Sequence, residues 1–190
     1  IILPPKGYLK RIREICDQHD ILLIFDEVIC GWGRTGNNFA ANEFDVTPDM
    51  ITSAKGITNA TIPLSAVFVS NKVHDTCVEQ SKSPVEFFHG YTYSCHPVAC
   101  AAGMATLDIY EQEGLLSRAK TTGDIGSYWQ EAMHSFADME QVIDVRNYGL
   151  MGAIELRAPK GQLGTVGGKA LPAAWEKGVM VRGIGDAICM

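Results

Sequence analysis

The spacing of apolar positions changes several times along the chain, and each change marks an element. Leu9, Ile12, Ile15 and Cys16 recur at helical spacing and predict an amphipathic helix over about 7–19. Residues 21–26 (Ile21-Leu22-Leu23-Ile24-Phe25-Asp26) form a near-continuous apolar run, the pattern of a parallel strand covered on both faces. A short strand is expected to follow Pro48-Asp49 and another to span Leu64 to Ser70, with a short helix from about Lys72. Residues 4–7, 31–38 and 81–84 carry the Gly, Pro, Asn and Ser of loops. Pro97 suits the first position of a helix, and the Ala-rich stretch 97–112 reads as a buried one. Gly114 breaks it, and a second long helix is expected to about Phe136, interrupted near Gly123 and Gly126. Val142 to Arg146 and Leu150 to Leu156 predict a strand pair joined around 147–149. Residues 157–168 read as a Gly-rich surface loop, 169–177 as helix, Val179 to Arg182 as strand, and Ile188-Cys189-Met190 as the start of another.

Strands alternating with helices in the first part predict a mostly parallel α/β sheet, and the later pattern a smaller α+β domain. The boundary falls near Gly114, giving domains 1–113 and 114–190. The first residues read as the tail of a strand, so the chain is expected to be a fragment of a longer protein lacking its N-terminal part. The net charge of −6 argues against nucleic-acid and anionic-membrane partners. No apolar run reaches membrane-spanning length, and Ile1-Ile2-Leu3-Pro4-Pro5 lacks the basic start of a signal peptide. The six cysteines show neither a disulfide framework nor a CxxC pair, which fits a reducing, cytoplasmic compartment. His89, Cys95, His96 and Cys100 match no zinc spacing, so no metal site is expected.

The candidate chemistry begins with Asp26 at the carboxyl end of the apolar strand and Lys55, 29 residues later (55 minus 26), in Ile51-Thr52-Ser53-Ala54-Lys55-Gly56. Ligands of open α/β sheets bind at the carboxyl ends of strands. A lysine among small apolar residues can be desolvated into a nucleophilic amine. An amine and a carboxylate so placed suit pyridoxal 5'-phosphate, with Lys55 as the Schiff-base lysine and Asp26 as partner of the pyridinium nitrogen. Taken singly, Asp26 reads equally as a strand-end cap or a partner of Arg34, and Lys55 as a surface charge.

Gly31-x-Gly33-x-x-Gly36 matches a dinucleotide fingerprint, but Asn37-Asn38-Phe39 opens no helix, and no acid stands about 20 residues on in a second-strand setting. His89-Gly90-Tyr91-Thr92-Tyr93-Ser94 precedes Pro97, so its hydroxyls and N–H groups either serve a phosphate at a helix N-terminus or, through Ser94, cap that helix. Arg182 ends an apolar strand, where its guanidinium either clamps a substrate carboxylate or pairs with Asp186.

In one order, the chain carries Ile24-Phe25-Asp26-Glu27-Val28, Gly31-Trp32-Gly33-Arg34-Thr35-Gly36, Thr47-Pro48-Asp49, Ala54-Lys55-Gly56 and Gly90-Tyr91-Thr92-Tyr93-Ser94-Cys95-His96-Pro97. This series resembles the class III (ω-) aminotransferases of PLP fold type I, nearly end to end. Residues 99–114, 127–132 and 142–156 look most similar to β-alanine–pyruvate (ω-amino acid–pyruvate) transaminases. The resemblance implies roles by position. Lys55 and Asp26 would be the catalytic pair, and Val28 would pack on the cofactor ring. Thr92, helped by the Tyr91-Thr92 backbone, would bind the cofactor phosphate of a neighbouring subunit. Arg182 would take the substrate carboxylate. Glu27 and Arg34 would support the site and the subunit contact. Cys95 stands where relatives often carry Gly. The family's other phosphate loop and ring-stacking aromatic belong to an N-terminal part absent from this chain.

The implied activity moves an amino group from an ω-amino acid or amine to pyruvate, giving alanine, with ping-pong kinetics and a two-fold homodimer or homotetramer. Two alternatives stand beside it. One is an aminomutase or decarboxylase on the same fold. The other is a truncated, non-catalytic homologue acting as a partner or scaffold.

Overall fold

The computed structural model describes residues 1–83, 85, 87–120 and 124–190, the side chain of Asp124 excepted. The chain divides into two compact units, one of Pro4–Gly33 and Asn37–Leu116, the other of Ile1–Leu3, Arg34–Gly36 and Ser117–Met190.

In the first unit the chain runs through helix α1 (Tyr8–Gln18), strand β1 (Ile24–Asp26), the short helix α2 (Ala40–Glu43), strands β2 (Met50–Ser53) and β3 (Ala66–Val69), and helices α3 (Asn71–Gln80) and α4 (Pro97–Gln112). The sheet order is β1-β2-β3. β1 and β2 are parallel, with Asp26 opposite Thr52, and β3 returns antiparallel, with Ala66 opposite Ser53. The α/β class holds, but this sheet is mixed. The connection from β2 to β3 contains a 3-10 turn (Lys55–Ile57) and no crossover helix, so the chain reverses beside β2. The expected covering of β1 on both faces is not found. β1 is an edge strand, and Ile21, Leu22 and Ile24 are about half exposed (53%, 50% and 53%).

A half-buried acid ties three elements together. Asp49 Oδ2 accepts from Arg13 Nη1 of α1 at 2.7 Å and from the Leu23 N–H before β1 at 2.8 Å, at the entry to β2. Those donors, the Leu23 N–H first, hold the Asp49 carboxyl below the usual aspartate range. In α4 the buried residues Ala99, Gly103, Thr106 and Tyr110 recur every three or four positions, so one stripe faces inward.

The second unit contains helix α5 (Asp124–His134), strands β4 (Val142–Tyr148) and β5 (Met151–Leu156), helix α6 (Thr165–Glu176), and strands β6 (Arg182–Ile184) and β7 (Ala187–Cys189). Its antiparallel sheet has the order β4-β5-β7-β6. Met133 of α5 is buried and packs over Gly152 of β5, with Ala153 and Ile154 buried alongside. The β4–β5 turn is tight. Gly149 has φ +54, and a Cβ there would sit 2.2 Å from the Arg34 carbonyl oxygen.

Three sequence expectations shift in this unit. The long helix expected to Phe136 is instead a 3-10 turn (Leu115–Ser117) and α5; the interruption expected near Gly126 is not found, since Gly126 lies buried inside α5, and the one expected near Gly123 lies outside the described residues. α6 starts inside the Gly-rich stretch expected to be loop, because the Asp186 carboxylate accepts from the N–H groups of Gly164, Val166 and Gly167 at 2.6, 2.9 and 3.0 Å. Val179 is not in a strand. Its N–H bonds to the Ala174 carbonyl and the Gly178 N–H to that of Trp175, a Schellman end to α6, so β6 begins only at Arg182.

Candidate active site

Because β1 and β2 are parallel and paired Asp26 to Thr52, both chains leave the sheet at the same edge. Asp26 is the last residue of β1, and Lys55 lies two residues beyond Ser53, the last residue of β2. The register therefore places at one sheet edge the carboxylate and the amine that the sequence singled out. Asp26 is exposed, and its Oδ1 accepts from the Val28 N–H at 3.1 Å, the strand-end cap of the simpler reading. No cation pairs with it among the described residues, so the expected alternative partner, Arg34, does not take it. Val28 is half-buried.

Lys55 departs from expectation in one respect: the small residues around it do not enclose it, and it is exposed. Its backbone is the informative feature. Lys55 has φ +49, in the left-handed region that favours glycine, and opens the 3-10 turn. Such a conformation costs about 1–3 kcal/mol and persists only where neighbours over-determine it.

Those neighbours are visible. On one side of Lys55, Ser53 is buried and its Oγ accepts from Trp32 Nε1 at 2.7 Å. On the other, the Gly56 carbonyl accepts from Tyr110 Oη at 2.6 Å, a hydroxyl that also lies 3.0 Å from Asn59 Oδ1. The Trp32 and Tyr110 rings stack with centroids 6.3 Å apart and planes 20° apart. Gly56 leaves room for Trp32, since a Cβ there would lie 2.6 Å from Trp32 Cβ. No sequence spacing signalled Trp32, Ser53 and Tyr110, because they come from a loop, a strand end and a helix up to 78 residues apart (110 minus 32).

Glu27 is buried (1% exposed), and its two carboxylate oxygens accept from the Ala40 and Ala41 N–H groups, each at 2.7 Å. Burial pushes the Glu27 carboxyl up against the opposing pull of those two bonds. Burial, with the Glu27 and Asp26 charges, also pushes the Cys30 thiol up, which disfavours thiolate chemistry there. Glu27 also disposes of the dinucleotide reading. Contrary to the sequence expectation, a short helix does open after Phe39, the N-cap of α2, but its first-turn Ala40 and Ala41 N–H groups, which a diphosphate would need, are occupied by the Glu27 carboxylate.

Tyr91 and Thr92 lie in an exposed turn, in which Tyr91 N–H donates to Ser94 Oγ at 2.8 Å and Ser94 N–H to the Tyr91 carbonyl at 2.9 Å. Ser94 therefore closes its own turn instead of capping α4, whose first residue is Pro97. Cys95 has φ +55, a conformation in which glycine is less strained. In the other unit, Arg182 is exposed and unpaired among the described residues. The alternative pairing with Asp186 does not form, because Asp186 caps α6. The described residues contain no group of side chains able to hold a metal ion. No helix among them is long and apolar enough to cross a membrane.

The donor set fits a pyridine aldehyde phosphate. An amine and a carboxylate without a cation partner among the described residues follow neighbouring strands at one end of the sheet, and the unit also presents exposed hydroxyls at Tyr91 and Thr92. Comparison with known proteins defines the class. Residues 1–190 match the aminotransferase class-III family, and the chain belongs to that family. It is 50% identical over 190 residues to the omega-aminotransferase of Caulobacter vibrioides, covering 100% of this chain and 43% of that protein. It is 45% identical to the omega-amino acid–pyruvate aminotransferase of Pseudomonas putida, covering 99% of this chain and 42% of that protein. The omega transaminase of Pseudomonas jessenii, solved in complex with PMP, superposes with a TM-score of 0.92 at 35% identity, covering 100% of this chain and 43% of that one. The chain thus spans less than half the length of these relatives.

Proposed function

We propose that the protein is a pyridoxal 5'-phosphate-dependent transaminase that moves an amino group from an ω-amino acid or amine, β-alanine-like, to pyruvate, giving alanine. The observation that carries this reading is the placement of Asp26 and Lys55 at one edge of the parallel β1–β2 pair, with Lys55 in a left-handed conformation. The relatives named for ω-amino acid and pyruvate chemistry support the choice of substrates.

Bound pyridoxal phosphate supplies an aldehyde that takes up the amino group and a ring that draws electrons from the neighbouring substrate carbon. Lys55 Nζ would hold the cofactor through its aldehyde, and the free Lys55 amine would take the proton from the amino-bearing carbon of the donor and return one to the acceptor carbon in the second half-reaction. Asp26 would keep the proton on the ring nitrogen, and Val28 would pack against the ring. Thr92 and the Tyr91-Thr92 backbone bind phosphate in the neighbouring subunit's site, which makes a homodimer or a higher oligomer the working form. Arg182, unpaired and exposed, binds the pyruvate carboxylate through two parallel hydrogen bonds. Residues 1–113 would belong to the cofactor-binding domain and 114–190 to the small domain, a reading supported by two compact units of which one ends at Leu116 and the other takes Ser117–Met190 together with Ile1–Leu3 and Arg34–Gly36. The six free thiols suit a reducing, cytoplasmic setting.

A donor and acceptor screen with initial-rate kinetics tests the activity. Parallel lines for β-alanine or an amine against pyruvate, with alanine formed mole for mole, are expected. Product formation without any oxo acid would instead identify a mutase or decarboxylase.

A further inference from the structure

We propose that Tyr110, with Trp32, is a positioning residue for Lys55, holding its left-handed backbone so that the amine is presented at the sheet edge. The proposal rests on the reading of Lys55 as the reactive amine. Lys55 has φ +49, yet no side chain of its own fixes that conformation, and the residue is exposed. What fixes it is a bracket of two hydrogen bonds. Trp32 Nε1 holds buried Ser53 two residues before, and Tyr110 Oη holds the Gly56 carbonyl one residue after. The stacked rings join the two bonds into one unit, and Gly56 lies against Trp32 too closely to admit a Cβ.

Tyr110 is an unusual anchor for a mere core contact. It is 7% exposed, on the inward stripe of α4, and its hydroxyl reaches out of that helix to a loop 54 residues away. Its single proton is shared between the Gly56 carbonyl and Asn59 Oδ1, and Asn59 also has a left-handed backbone (φ +49). The hydroxyl therefore sits where the strained turn after Lys55 needs a donor. A packing role alone would be met by phenylalanine.

The test compares wild type, Tyr110→Phe and Trp32→Phe in the purified whole protein. Both substitutions keep a ring and remove one hydrogen bond. The rate at which PLP becomes attached to Lys55 is followed by borohydride quenching and quantitation of the labelled peptide. It is set beside kcat, KM and the thermal midpoint of the cofactor-free protein. Tyr110→Phe is expected to slow labelling at Lys55 and to lower kcat by about tenfold each with KM unchanged, the scale of a misplaced reacting group. Trp32→Phe is expected to act in the same direction. Wild-type labelling rate and kcat in Tyr110→Phe, whatever its thermal midpoint, would overturn the proposal and leave a structural role. Should wild type itself label at another lysine, the reading of Lys55 fails first and the proposal with it.

Discussion

Glu27 offers the most quantitative check on how the sheet edge is held. Its carboxylate is 1% exposed and accepts two hydrogen bonds of 2.7 Å from the Ala40 and Ala41 N–H groups. Its own N–H donates to the Thr52 carbonyl at 2.9 Å and its carbonyl accepts from Gly31 at 2.9 Å, so it fastens the exit of β1 to the loop beyond. Glu27→Ala strands two N–H donors at about 1–3 kcal/mol each, giving a loss of about 2–6 kcal/mol. Glu27→Gln keeps one acceptor but turns an amide donor toward the other N–H, so about half that loss is expected. The pH dependence separates charge from shape. Burial holds the carboxyl above the ordinary glutamate range, so the folded state binds this proton more tightly than the unfolded state. Wild type should therefore gain stability relative to Glu27→Gln as pH falls from the raised folded value to the ordinary one, and lose that gain as pH rises. Urea melts at several pH values between about 4 and 8, with the slope m checked for constancy, measure both quantities. A Glu27→Ala protein within about 0.5 kcal/mol of wild type, the scale of surface substitutions, would refute the reasoning.

Further expectations follow from other residues. Asp49→Ala should cost about 2–4 kcal/mol at neutral pH, because it removes a shared acceptor and leaves Arg13 without its half-buried partner. As the Asp49 carboxyl is held below its ordinary value, that difference should vanish as pH falls through the depressed folded value, which acid titration of both proteins would show. Gly149→Ala should lose about 2–4 kcal/mol in a thermal melt, since it adds left-handed strain to a clash with the Arg34 carbonyl oxygen; a midpoint equal to wild type would contradict the turn. Arg182→Ala should lower kcat/KM for pyruvate by about 100-fold, the worth of a lost bidentate pair, while sparing a carboxylate-free amine donor. Equal losses for both would remove Arg182 from carboxylate binding.

The sequence made the two ends of this argument legible and left out the middle. Asp26 and Lys55 stood out because each sits beside a recognisable strand; α1 followed from helical period, α4 from Pro97 and an Ala-rich stretch, and the β4–β5 pair from two apolar runs joined around residues 147–149. The start of α6 did not, since its cap is supplied by Asp186, 22 residues after Gly164, and no local pattern carries that bond. The antiparallel β3 was missed because an apolar run does not state its direction, and the β2–β3 connection contains only a 3-10 turn. Small apolar neighbours suggested that Lys55 could be desolvated, yet it is exposed and marked by backbone strain, which cannot be seen in a residue list. The Trp32–Tyr110 bracket was invisible for the same reason, as its members meet only once α4 lies beside the 3-10 turn. The glycines of the 31–36 loop had drawn attention to nucleotides, and the fold shows that Glu27 already occupies the donors they would need.

The most direct measurement is borohydride reduction of the purified protein after incubation with pyridoxal phosphate, followed by mass mapping of every lysine-containing peptide. A pyridoxyl group on Lys55, absent from Lys55→Ala, is the expected result and would establish cofactor and reactive amine together. A folded protein that carries no label at Lys55 would contradict the proposed transaminase, whatever its family.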